Sequence, residues 1–253
     1  MTTTGTTTSL AERLFPDRDP FPADGEIGWG LAEAVLAFLA AQSFSIIGFG
    51  IASRLIYGDD GVPPLAERET WTIWALSAGL WLGYLIGPWF FTRVTGGGPM
   101  IEHSLRISPR QGLVAVVLGV VSQLAVLPVL YWPILRFVDE QPGDFAEELA
   151  ARADGLVGGL FLFGAAAVIA PIVEEWFYRG MLLPALARRF GTIAGVLGST
   201  VLFTLVHRPI SYPGIFFFGL VLAGIRVATG RLAPAIVAHM AFNTVTVIAL
   251  LFF

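Results

Sequence analysis

Two residue types are missing from the 253-residue sequence, and each absence narrows the chemistry. Without cysteine there is no thiol nucleophile, no thiolate metal ligand and no disulfide, and the redox compartment stays open. Without lysine all 15 basic residues are arginine, which removes Schiff-base and Ser-Lys mechanisms. Histidine is scarce, with three residues. Charge is scarce too, at 13% of the chain against a hydrophobic fraction of 55%. Mean hydropathy is +0.74. That balance excludes an ordinary soluble domain and predicts an all-α, polytopic transmembrane bundle of about seven to eight spans. The net charge of −4 is small and no basic patch points to nucleic acid. There is no internal repeat of 20 to 50 residues.

Three regions follow from the apolar pattern. Residues 1–27 are polar, beginning with a Thr-rich stretch that predicts disorder. No basic stretch leads directly into an apolar core, so the first hydrophobic helix is expected to act as the insertion signal. Residues 28–150 hold three predicted spans, at about 29–57, 71–91 and 112–135. Gly79, Gly83 and Gly87 form a small-residue stripe on the second, and Pro128 and Pro133 are expected kinks in the third. An acidic segment follows, in which Phe145, Leu149 and Leu156 recur at helical spacing and predict an interfacial amphipathic helix. Residues 151–253 hold four more apolar elements, at about 155–189, 192–207, 213–228 and 232–253. The first is too long for one straight crossing, and Pro171 is its expected kink. Arginine counts in alternate loops are nine against five, with Arg226 and Arg231 among the nine. The positive-inside rule then puts the N-terminus in the cytoplasm.

Polar residues inside these apolar elements stand out because each is costly there. Glu174 and Glu175 follow a long uncharged run. In a helix Glu175 and Arg179 share a face and can pair, which leaves Glu174 for another partner. A structural ion pair alone would need one glutamate, and the chain supplies two. His207 ends the fifth apolar element. His239 and Asn243, four apart, lie inside the last. His103 sits in a loop beside Glu102 and needs no special role. If the turns near Gly191 and Gly230 lie at one membrane face, helical rise puts the glutamates, His207 and Asn243 at similar depth, with His239 one to two turns away. A carboxylate in a dry cavity can accept a proton and, beside a histidine, activate water. A second histidine and an asparagine can serve a developing oxyanion. Alternatively His207 and His239, with Glu174 or Glu175, have the donor chemistry for a zinc-like divalent metal. No serine stands out as a nucleophile; Ser199 is two turns from His207.

Glu174-Glu175-x-x-x-Arg179, Phe203-x-x-x-His207 and His239-x-x-x-Asn243, in that order on hydrophobic segments, resemble the three signature motifs of the CAAX-processing and bacteriocin-processing (CPBP, or Abi) intramembrane proteases, which include the type II CAAX prenyl endopeptidases. The similarity covers roughly residues 165–249, within a protease-like core of 151–253. It implies a multi-pass membrane peptidase acting on a peptide or membrane-protein substrate, lipidated in true CAAX processing. By that resemblance Glu174 and His207 activate water, Glu175 and Arg179 support them, and His239 and Asn243 form the oxyanion or metal side, with Phe203 as a supporting residue. The resemblance leaves both a metal-dependent and a glutamate-activated reaction open. The composition, rich in Arg, Gly and Ala, predicts a prokaryotic cell membrane. Two other classes remain: a non-catalytic scaffold or bacteriocin-immunity protein, and a proton-coupled transporter using a Glu/His relay.

Overall fold

The computed structural model describes residues 29–63, 70–95, 105–153 and 155–252. The Thr-rich tail, His103 and Glu102 lie outside them. Every regular element among the described residues is helical. We number them α1 (Leu31–Tyr57), α2 (Thr70–Val94), α3 (Pro109–Ile134), α4 (Asp144–Ala150), α5 (Gly155–Phe190), α6 (Thr192–Leu205), α7 (Tyr212–Thr229) and α8 (Ala233–Phe252). Among the described residues five helical runs are long and apolar enough to cross a membrane: α1, α3, α5, α8, and α7 with the tight turn that precedes it. They mark the chain as an integral membrane protein, and their large apolar side chains face outward, as Ile46, Leu55, Val129 and Leu156 do.

Local sequence explains the boundaries. α1 stops where Gly58 takes a positive φ of 66°. Ser108 and Gln111 cap the start of α3 reciprocally, with Pro109 at its first position. α5 turns into α6 at Gly191, whose φ is 89°. α6 is shorter than the predicted span. Its 14 residues measure about 21 Å against a hydrocarbon core of about 30 Å, and the chain leaves the helix before His207. The amphipathic helix predicted through Leu156 ends at Ala150; Leu156 belongs to α5 and is exposed.

Helical structure continues through Pro171, the expected kink. α5 runs unbroken for 36 residues, and it absorbs its prolines through two π turns, Gly164–Ile169 and Tyr178–Leu182. α3 does the same at Ser122–Val126, just before Pro128. A proline removes one main-chain donor, and widening the preceding turn lets the helix continue around the ring.

Packing uses small residues where backbones meet. The predicted glycine stripe lies against α1: Gly79 meets Phe44 and Gly48, Gly83 meets Ala41, and Gly87 meets Ala37. Gly119 of α3 touches the backbone of α8 at Ala238. One buried cluster combines Ala34, Ala37 and Ala41 with Val173, Phe177 and Phe203. Through it α1 and α2 brace the segment of α5 that carries the glutamates.

Candidate active site

The site is built on α5, between its two π turns. Glu175 and Arg179 point into the bundle, both with fully buried side chains, and Nη1 of Arg179 donates to Oε1 of Glu175 over 2.9 Å. This is the pair expected from their four-residue spacing. A second guanidinium nitrogen donates to the Gly219 carbonyl on α7 at 3.2 Å. The Arg179 guanidinium carbon lies 4.4 Å from the centroid of the Phe203 ring, a cation–π contact. Burying the two charges is costly, and it is offset by their mutual pairing and the further contacts each makes.

His239 closes the cluster from α8. Its Nδ1 donates to the same Oε1 of Glu175 at 3.0 Å, and its Nε2 lies 3.8 Å from Oε2 of Glu174, an electrostatic contact too long for a hydrogen bond. The two glutamates therefore differ in environment. Glu175 is enclosed, whereas the side chain of Glu174 keeps 20% of its exposure. Phe203 is the aromatic hub. Its ring lies 5.1 Å from Tyr178, 4.8 Å from His207 and 6.0 Å from His239, all edge-on. His207 follows the end of α6 and folds back, its Nδ1 2.8 Å from the Phe203 carbonyl. A carbonyl only accepts, so that nitrogen is the donor, and in the neutral ring Nε2 keeps its lone pair.

Asn243 is held elsewhere. Its Nδ2 donates to the Ala166 carbonyl at 2.8 Å, about two turns before Glu174 on α5. The expected depths are thus exchanged: His239 is level with the glutamates and Asn243 is the residue offset. The turns at Gly191 and Gly230 are not at one level. Leu232 packs against Gly180, 11 residues short of Gly191, so the α7–α8 turn is recessed by about 16 Å. That recession carries His239 to Glu175.

The metal set of Glu174, His207 and His239 is not assembled. Among the described residues no three His, Asp or Glu side chains gather closely enough to hold an ion. Glu174 and His239 span 3.8 Å, near the about 3.4 Å between two tetrahedral zinc ligands at 2.1 Å. Nδ1 of His239 is already committed to Glu175, and a third donor does not join the pair.

Several polar partners escaped the sequence reading. The hydroxyls of Tyr84 and Tyr178 are 2.7 Å apart, and Gln42 of α1 donates to Tyr84 at 3.1 Å. Gln42 was visible as a polar residue in an apolar span, but nothing local named its partner. Arg226, assigned to a loop by the arginine count, lies instead in the last turn of α7 at 2% exposure, donating from Nε to the Arg179 carbonyl at 3.2 Å.

The arrangement offers one accessible carboxylate, a histidine oriented by a buried carboxylate, and a second histidine with a free lone pair. No curated protein and no solved structure matches the chain. Residues 156–245, the stretch that holds all three motifs, match the family described as type II CAAX prenyl endopeptidase, Rce1-like, and this segment is similar to the intramembrane proteases whose motifs it resembles.

Proposed function

We propose that this protein is an intramembrane endopeptidase that hydrolyses a peptide bond in a membrane-associated, CAAX-type substrate with water activated by Glu174. The observation that carries the reading is the division between the two glutamates: Glu175 is spent on Arg179 and His239, while Glu174 is partly exposed beside His239. Water bound at Glu174 loses a proton to that carboxylate as its oxygen bonds to the scissile carbonyl carbon. His207, through its Nε2 lone pair, accepts the second hydrogen bond of the water and orients it. When its ring carries protons on both nitrogens, His239 donates from Nε2 to the developing oxyanion while Nδ1 stays on Glu175, which holds the ring as a carboxylate holds the histidine of a hydrolytic triad. Glu174 then passes its proton to the amine nitrogen as the C–N bond breaks. Phe203 and Arg179 keep these groups in register. No step is routed through a metal, because the donors do not form a site for one.

In this reading α1 to α3 and α5 to α8 make seven crossings of a prokaryotic cell membrane. α2, with 25 residues, and the short α6 add to the five runs that are long and apolar enough to cross. The substrate is a peptide or membrane protein, prenylated or otherwise lipidated, that enters from the bilayer.

The test uses the full chain in liposomes with two fluorogenic peptides of one sequence, prenylated and unprenylated. Cleavage is expected, faster for the prenylated peptide, and Glu174→Gln should lower it about 10²-fold or more without changing the folded yield. Cleavage that survives Glu174→Gln would sink the mechanism. Peptide binding without cleavage in the parent would select a scaffold or immunity protein, and proton-coupled flux without cleavage a transporter.

A further inference from the structure

The three π turns share one feature that their sequences alone do not display. Each ends two residues before a proline, and the N–H of the residue between them closes it by bonding to the carbonyl five residues back: Leu127 to Ser122 before Pro128, Ala170 to Ala165 before Pro171, Leu183 to Tyr178 before Pro184. The next carbonyl in line then loses both of its main-chain donors. The N–H four residues on is already used, and the residue five on is proline, which has none. On α5 the two carbonyls orphaned in this way are those of Ala166 and Arg179. Both receive side-chain donors from neighbouring helices. Asn243 of α8 donates to Ala166, and Arg226 of α7 donates to Arg179. Glu174 and Glu175 lie between the two repaired turns.

We propose that Arg226, which belongs to none of the three motifs, is a positioning residue for the hydrolysis proposed above: by supplying the donor that Pro184 lacks, it holds the Tyr178–Leu182 π turn and so aims Glu174 at the site and Glu175 at His239. The inference rests on that reading of the site. The physical reason is rotation. A π turn inserts one residue into the helical register, so a relaxed turn rotates one side of α5 against the other by about 100°. The C-terminal side is anchored, because Arg188 donates to the Trp29 carbonyl and Ala187 packs against Gly195. Relaxation would therefore turn the glutamates. Arg226 prevents it by giving the widened turn a full set of hydrogen bonds in a setting without water.

The inference predicts a specific rescue. Arg226→Met removes the donor, and Pro184→Ala on the same chain returns a main-chain N–H to the turn. Four full-length proteins are compared in liposomes: parent, Arg226→Met, Pro184→Ala and the double variant. With the fluorogenic peptide, Arg226→Met should lower kcat about tenfold or more and leave KM within about twofold. The double variant should return to within about threefold of the parent. A second readout needs no activity. A membrane-permeant carbodiimide should label Glu174 and spare Glu175 in the parent, label Glu175 as well in Arg226→Met, and spare it again in the double variant. Should Arg226→Met fail to fold, recovery of folded protein in the double variant reads the same rescue. The inference is overturned if the double variant is as impaired as Arg226→Met, or if Arg226→Met keeps the parental kcat and labelling pattern. Should the parent cut no peptide, the peptidase reading falls and the labelling pattern alone decides for or against Arg226.

Discussion

Arg179→Ala is the perturbation whose cost follows most directly from the structure. It removes the 2.9 Å ion pair with Glu175, the 3.2 Å hydrogen bond to the Gly219 carbonyl and the guanidinium over Phe203 in one step. What remains is a fully buried carboxylate whose one other partner among the described residues is His239. Breaking a buried pair from one side costs about 3–5 kcal/mol, because the surviving charge is left in a medium that cannot solvate it. That is a large share of the roughly 5–15 kcal/mol that holds a domain folded. For a chain of this length it corresponds to a fall in thermal midpoint of about 6–20 °C. Thermal unfolding of purified protein in detergent, with the monodisperse yield, measures it. Removing both charges should cost far less. The double variant Glu175→Gln/Arg179→Met keeps an acceptor for His239 and fills the volume with an apolar chain, so it should recover most of the lost midpoint. The reasoning is refuted if Arg179→Ala melts with the parent, or if the double variant is no more stable than Arg179→Ala alone.

Other outcomes are expected on the same footing. Gly83→Leu should lower the thermal midpoint, at a cost of about 1–3 kcal/mol, because its side chain would overlap Ala41 of α1. Gly50→Leu is the control, since nothing lies within 4 Å of that position; equal losses would remove the stripe as a packing device. Asn243→Ala should destabilise by about 1–3 kcal/mol by orphaning the Ala166 carbonyl, and Pro171→Ala should restore that stability. Peptide cleavage that also returns would limit Asn243 to the helix, whereas cleavage that stays lost would give its side chain a part in the reaction. Exhaustive chelation should leave cleavage intact, because among the described residues no third donor gathers with Glu174 and His239 to hold an ion; metal analysis paired with activity checks this, and a metal-free, inactive sample revived by zinc would overturn it.

What could be read from the sequence alone was whatever depends on neighbours along the chain. The apolar runs predicted the helices to within a few residues at α1 and α8, since the cost of exposing backbone to lipid leaves a spanning segment little else to be. The four-residue spacing of Glu175 and Arg179 predicted their pairing, because helical geometry alone brings them together. The glycine stripe of α2 was legible for the same reason. The tertiary structure decided matters that depend on how far one helix slides along another. The α7–α8 turn is recessed to Gly180, and no local pattern encodes that register, so His239 and Asn243 exchanged their expected levels. Pro171 was legible as a kink that leaves a carbonyl without its donor, but that Asn243, 72 positions further on, supplies a donor to the Ala166 carbonyl was not. Arg226 read as a loop residue near a membrane face until the carbonyl of Arg179 gave it a buried partner. In each case the sequence determined which polar groups must be satisfied inside the membrane, and the packing of distant helices decided by which partner.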